Sequence, residues 1–302
     1  MSDKKANHIG LSGIKLTIPE FDLGEGIKLR QTFAHHFSHA MLAVKPPTSP
    51  GGAHPAPWLP ANSGSSVDIE VELFIPANAP SLAKLDETRS LWIILTILRM
   101  VNLPFASAII LSDVPFNEVE KAKKPFLFPL EQLPRRTMPR LAEHAEMKLE
   151  SLKWVASNWP KAARLATSSQ KFLPALEALD RYYEAGKDSA AMMSMWGGIE
   201  LLFCTNAPEL KFRVSAFLAS YLGGDGAERL VRFNQIKKLY DARSKCAHTG
   251  VPPSKEELSN TYLIFRSAMS AIIETEAVPT EKILLKMLFG DTVTYADFEK
   301  TK

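Results

Sequence analysis

Cysteine is nearly absent from these 302 residues. Only Cys204 and Cys246 occur, too few for a disulfide framework and without the Cys-x-x-Cys spacing of a zinc site. Two reduced thiols in a cytoplasmic protein are the expected reading. Long apolar runs are missing as well. The most apolar segment, Leu91 to Leu103, contains Arg99 and falls short of the roughly 20 residues a membrane helix needs. The opening residues, Met-Ser-Asp-Lys-Lys-Ala-Asn-His, lack the apolar core of a signal peptide, so no membrane segment is expected. Strong charge of either sign is lacking too. A formal net charge of +3 permits an acidic partner such as RNA only if the basic groups cluster. What is present is ordinary for a globular chain: 46% hydrophobic and 23% charged residues, which excludes a wholly disordered protein. The length accommodates two domains, and no internal repeat is visible.

Hydrophobic periodicity divides the chain into a mixed front and a helical back. Ile14, Leu16 and Ile18 alternate with polar residues, as in a half-buried strand, and a second short strand is predicted over Ile27 to Phe33. Residues 45 to 66 are crowded with Pro, Gly and Ser and read as a long loop. The clearest strand puts Val67, Ile69, Val71, Leu73 and Ile75 on one face and Asp68, Glu70 and Glu72 on the other. A helix from about Ser81 to Met100 and a strand at Ala108 to Leu111 complete an expected α/β domain over residues 1–115. Residues 116–165 form a basic, Pro-rich connector with a helix from about Pro139 to Asn158, which Pro160 should close. From 166 to 277 the pattern is helical. Phe172, Leu176, Leu179 and Tyr183 repeat at helical spacing, as do Leu258, Tyr262, Phe265, Met269 and Ile272. Between them lie helices over Met192 to Phe203 and Phe212 to Leu222, then a long one that Asp225 and Glu228 can cap. Residues 278–302 read as a helical tail. The fold class expected is α+β: a small N-terminal α/β domain followed by an all-α bundle.

Residues 237–250, Lys-Lys-Leu-Tyr-Asp-Ala-Arg-Ser-Lys-Cys-Ala-His-Thr-Gly, organise the functional reading. At about 100° per residue, Ile236, Leu239, Tyr240, Arg243 and Ala247 share one side of a helix, so a permanent cation sits on the stripe that should be buried. Such a group is tolerated there only when paired or facing a wet cleft. Ser244 and His248 are four apart and therefore neighbours. Arg243 and His248 are separated by about 140°, so they serve one point only if the Arg reaches round or the helix ends near His248. Gly250, Pro252 and Pro253 favour that ending, and Ser254 with Glu257 reads as the capping box of the next helix.

Two runs, Trp-Gly-Gly-Ile-Glu-Leu-Leu-Phe at 196–203 and Leu-Tyr-Asp-Ala-Arg-Ser-Lys-Cys-Ala-His at 239–248, make residues 171–277 resemble a HEPN domain, in wording closest to the Apea-like HEPN branch. Thr249, between His248 and the glycine, departs from the family wording. The resemblance implies a metal-independent endoribonuclease without cofactor, acting as a homodimer in which two motifs face one cleft. It implies Arg243 and His248 as catalytic residues with Ser244 supporting them. It also implies cleavage of single-stranded or loop RNA, tRNA among the target classes, in phage defence by abortive infection or as a toxin. The N-terminal domain would then sense a trigger or restrain the nuclease. Some members of the family are inactive, so a non-catalytic RNA- or partner-binding dimer is the alternative.

The chemistry of the residues agrees with the first reading. Cleavage of RNA without a metal needs a base for the ribose 2′-OH, donors for the charge on phosphorus, and an acid for the departing 5′-oxygen. Histidine suits the proton transfers and arginine offers forked donors to phosphate. One such histidine per chain is an independent reason to expect a dimer. A purely structural account competes: His248 favoured at a helix end by the dipole, Arg243 paired with an acid inside the bundle. Glu200, within an apolar run, is the natural partner of Arg243, with Asp241 a weaker supporting candidate. Lys237, Lys238 and Lys245 beside the motif, together with Lys211, Arg213 and the basic groups Lys121, Lys123, Lys124, Arg135 and Arg136, are candidates for tracking an RNA backbone. Cys246 reads as a packed residue. His35 and His39 would share a face if their segment were helical, but no third ligand is evident, and a surface cluster is the better reading.

Overall fold

A computed structural model describes residues 6–38, 41–60, 65–101, 106–130, 146–182, 185–204, 209–291, 293–294 and 297. It is mixed α+β, with strands and helices segregated into two compact units.

The first unit comprises residues 1–77, 105–133 and 144–147. Its centre is a six-stranded antiparallel sheet of β1 (Asn7–Ser12), β3 (Glu20–Gly24), β4 (Ile27–Ser38), β7 (Ser65–Ile75), β8 (Ser107–Ser112) and β9 (Leu127–Pro129), ordered β3-β4-β7-β1-β8-β9. A short parallel pair joins β2 (Lys15–Leu16) to β10 (Glu146–Met147), and β5 (Met41–Ala43) pairs with β6 (Trp58–Pro60). The alternation in β7 buries Ile69, Val71, Leu73 and Ile75, as a half-buried strand should. Glu72, expected on the solvent face, is instead 3% exposed. It faces His8 Nδ1 at 3.0 Å, Arg30 Nη1 at 3.5 Å and the Phe116 N–H at 2.9 Å. Burial pushes the Glu72 carboxyl up, but those donors outweigh it and hold it below its ordinary value.

The predicted short strand after Ile27 extends to Ser38, so His35 and His36 lie on a strand and not a helix. His35 pairs across the sheet with Asp68 at 2.6 Å. Positions 35 and 39 of an extended chain are about 13 Å apart, which removes the helical geometry behind the two-ligand reading; His39 itself lies outside the described residues.

The second unit comprises residues 78–104, 134–143 and 148–302. It contains α1 (Glu87–Val101), α2 (Leu149–Ser168), α3 (Phe172–Arg181), α4 (Asp188–Phe203), α5 (Leu210–Tyr221), α6 (Gly226–Thr249), α7 (Lys255–Thr275) and α8 (Glu281–Leu288). The N-terminal α/β expectation therefore changes: the sheet unit has no α-helix among its described residues, and α1 belongs with the bundle. From Ser90 to Met100 every side chain of α1 except Trp92 is buried, as in a helix apolar all round, and Arg99 bonds Asp180 of α3. The helix packs on α2 and α3. The expected connector is likewise divided, β9 and β10 going with the sheet and α2 with the helices. Pro160 does not close α2, which continues to Ser168. An internal proline costs about 3 kcal/mol, and the burial of Trp159, Ala162, Ala163 and Leu165 around it offsets that. Residues 139–145, Tyr183, Arg135 and Arg136 of the sequence expectations lie outside the described residues.

Helices α3, α4 and α7 meet at Gly198. A Cβ built there would lie 2.5 Å from Phe265 Cζ and 3.1 Å from Ala178 Cβ. Gly198→Ala is expected to destabilise by about 1–3 kcal/mol through overpacking, although alanine gains about 1 kcal/mol in helix propensity. Urea unfolding checks this, and a more stable variant would mean that the three helices are not this close.

Candidate active site

The motif lies on α6, whose boundaries the local sequence sets. Asp225 Oδ1 accepts from the Glu228 N–H at 2.8 Å, and Glu228 Oε2 accepts from the Asp225 N–H at 3.0 Å, a reciprocal capping box. At the other end Gly250 takes φ 70° and its N–H bonds the Cys246 carbonyl at 3.1 Å, a left-handed cap that glycine adopts without strain. The helix runs unbroken through residues 243–249, so the divergence of about 140° between Arg243 and His248 persists within one chain.

Arg243 is held from α4. Its Nη2 donates to Glu200 Oε2 at 3.3 Å and lies 3.1 Å from Oε1, with both side chains about four-fifths buried. The guanidinium carbon is 5.3 Å from the centre of the Tyr240 ring, and Trp196 meets that ring edge-on at 5.1 Å. Arg243 Nε is buried with no hydrogen-bond partner among the described residues, so the contact with Glu200 is made through Nη2 alone. The expectation that Glu200 partners Arg243 is met. Burial pushes the Glu200 carboxyl above its ordinary value, against the opposing pull of Arg243 and the Tyr240 hydroxyl. Tyr240 is raised by the same burial and then by the Glu200 charge.

Glu200 therefore has a pH signature. A carboxyl whose folded pKa is raised binds its proton more tightly in the folded state, so its contribution is full below the unfolded value and is lost as pH rises through the folded one. The prediction is that Glu200→Gln flattens the decline in stability from about pH 4.3, the ordinary Glu value, upward. Denaturant midpoints of both proteins between pH 4 and 8 read it; parallel curves would count against a buried carboxylate here.

His248 occupies the last turn of α6 and is exposed, with Ser244 half-buried one turn before it. Ala247, expected on the buried stripe, is exposed, and Ala242 and Cys246 are buried instead. Both buried residues lie within about 60° of Leu239 round α6, so the buried arc is wider than the expected stripe; burial pushes the Cys246 thiol up, unlike an activated nucleophile. Asp241 is not brought to Arg243. It lies about 200° away round the helix and binds Lys211 Nζ at 2.6 and 2.8 Å. Arg213 is likewise engaged, by Glu281 and the Phe217 ring. Lys238 and Lys245 are exposed and free of ion pairs among the described residues, while Lys237 lies over the Phe233 ring at 5.2 Å. Lys121, Lys123 and Lys124 are exposed in the sheet unit. The aromatic pair Phe212 and Phe233 beside these lysines was missed from sequence. Its one signal was an aromatic set between two cations, Lys211 and Arg213.

Comparison of the chain with protein-family models, with curated proteins and with solved structures gives no match.

Proposed function

We propose that the helical unit is a HEPN-type, metal-independent endoribonuclease acting as a homodimer on single-stranded or loop RNA. The observation that carries this reading is the division of labour on α6. A guanidinium about one-fifth exposed is oriented by a buried carboxylate, and an exposed imidazole stands at the helix end with a hydroxyl one turn away. In the reaction the 2′-oxygen loses its proton to a histidine and attacks phosphorus. The bond to the 5′-oxygen breaks, and that oxygen takes a proton from an acid. The products are a 2′,3′-cyclic phosphate and a 5′-hydroxyl. Arg243 bonds the phosphoryl oxygens as charge grows on them. With one His248 per chain on a side of α6 that Arg243 does not share, two chains supply base and acid together.

One observation favours a second reading, a non-catalytic RNA- or partner-binding dimer: Arg243 is already charge-paired, as a purely structural arginine would be. Incubating the purified protein with total RNA in EDTA, beside Arg243→Ala and His248→Ala, separates the two. Cleavage that both variants lose supports the nuclease, and binding without cleavage supports the module. Equal cleavage by all three sinks the assignment of these residues.

A further inference from the structure

An exposed aromatic stands near the motif helix where no core requires it. Phe212 is 54% exposed and meets Phe233 edge-to-face, with ring centres 5.5 Å apart. Phe212 and Lys237, with Glu209, Leu210 and Lys211, line an open cleft of about 500 Å³. At about 100° per residue, Phe233, Lys237, Ser244 and His248 fall within about 60° of one another round α6. They make one stripe that runs about 22 Å from the aromatic pair to the imidazole.

We propose that this stripe is the track for the substrate strand, with an unpaired base stacked on the Phe212 ring and its phosphate beside Lys237. The proposal rests on the nuclease reading, because it takes His248 as the end of the track. A ring offering its face beside a cation is the minimum that binds single-stranded nucleic acid: the ring takes any base, the cation takes the backbone. A protein partner fits less well. Lysine is depleted from the cores of protein interfaces, whereas the ring here is bordered by Lys211, Lys237 and Glu209. Exposed Leu230 and Val231 on α6 are the competing observation, and the test below gives that reading its own outcome.

The charge balance decides which interaction dominates. Lys211 is held by Asp241 at 2.6 Å, which leaves Lys237, Lys238 and Lys245 for phosphates. Three phosphate contacts to a single strand give a logarithmic salt slope of only about −2.1, too shallow for charge alone to carry the affinity. Stacking carries the larger share. A base inside a duplex presents its edges but not its face, so the track selects unpaired segments.

The test is fluorescence anisotropy with a labelled 12-nucleotide unpaired RNA and its duplex, in EDTA, using full-length protein carrying His248→Ala so that RNA is not consumed. Phe212→Ala should weaken single-strand binding by about 5- to 150-fold and leave the salt slope unchanged. Phe212→Trp should retain affinity, and Lys237→Ala should make the slope shallower by about 0.7. Unchanged single-strand affinity in Phe212→Ala, equal affinity for duplex, or no measurable binding overturns the track. A shift from dimer to monomer by light scattering, with RNA affinity unchanged, assigns the ring to protein contact instead. Cleavage by otherwise wild-type protein is scored separately. If it persists while Phe212 proves irrelevant to binding, the track fails and the nuclease stands. If Phe212 governs binding and nothing is cleaved, the nuclease fails and a binding surface remains.

Discussion

His248→Ala is expected to lower RNA cleavage by about 100- to 10,000-fold, the range a positioned proton-transfer group contributes, while changing stability by no more than about 0.5 kcal/mol. The separation of activity from stability follows from exposure: the imidazole occupies the final turn of α6 and packs into no core. Arg243→Ala behaves differently. It should lower cleavage by a comparable factor through loss of phosphoryl donors, about 100- to 1,000-fold by analogy with a lost oxyanion donor. It should also destabilise, because Glu200 keeps its burial and loses its cation. Glu200→Gln combined with Arg243→Ala should recover stability without recovering cleavage. A two-chain site makes a further demand. Wild-type chains co-refolded with an excess of His248→Ala chains should lose cleavage in the mixed dimer, because it holds one imidazole where the reaction needs both a base and an acid. Gel-resolved cleavage of a labelled RNA reads all of these; a mixed dimer that cleaves as wild type does would sink the shared cleft.

Helical segments were legible wherever one face or one cap dominated. Both capping boxes, Asp225 with Glu228 and Ser254 with Glu257, form as the spacing predicts, because the signal is local and the side chains bond their own backbone. Alternation was only a partial guide to the strands. β7 alternates and was found, and β8 was placed at Ala108 to Leu111 although it is largely buried, whereas the alternating Ile14 to Ile18 forms only the two-residue β2. β1, Asn-His-Ile-Gly-Leu-Ser, is buried from His8 to Ser12; a strand inside a sheet with both faces covered has no alternation to read. Affiliation of α1 was not legible at all, since an apolar helix beside a strand in sequence carries no mark of which layer will cover it.

The candidate site divides along the same line. The Arg243 and Glu200 pair was foreseeable, because a cation and an acid each stranded on apolar faces need each other. The Lys211 and Asp241 pair was not, since either residue alone reads as a solvated charge. Ala242 and Cys246 lie within about 60° of Leu239 round α6, so the buried arc is wider than the stripe the count drew, and Ala247 is exposed in the last turn.

The largest stability effect is expected at Asp180→Ala, a loss of about 3–5 kcal/mol from a total that for a domain is typically about 5–15 kcal/mol. Arg99 Nη1 donates to Asp180 Oδ1 and Oδ2 at 3.0 and 2.8 Å, with the two side chains 3% and 8% exposed. In the sequence Arg99 served only to interrupt an apolar segment; in the bundle it ties α1 to α3. Removing the acid leaves a guanidinium that cannot shed its proton and has little water to turn to. A cleft of about 350 Å³ lined by Trp92, Thr96 and Asp180 admits some solvent, which places the loss at the lower end of that range. Taking both charges away should cost less. Arg99→Met with Asp180→Leu is expected to lose less than Asp180→Ala alone, because the desolvation of both ions disappears along with their attraction. Urea unfolding of the single and double variants, analysed as a cycle, checks the pair. A single variant that loses less than about 1 kcal/mol would show that these ions are hydrated and that α1 is held to α3 by its apolar side chains alone.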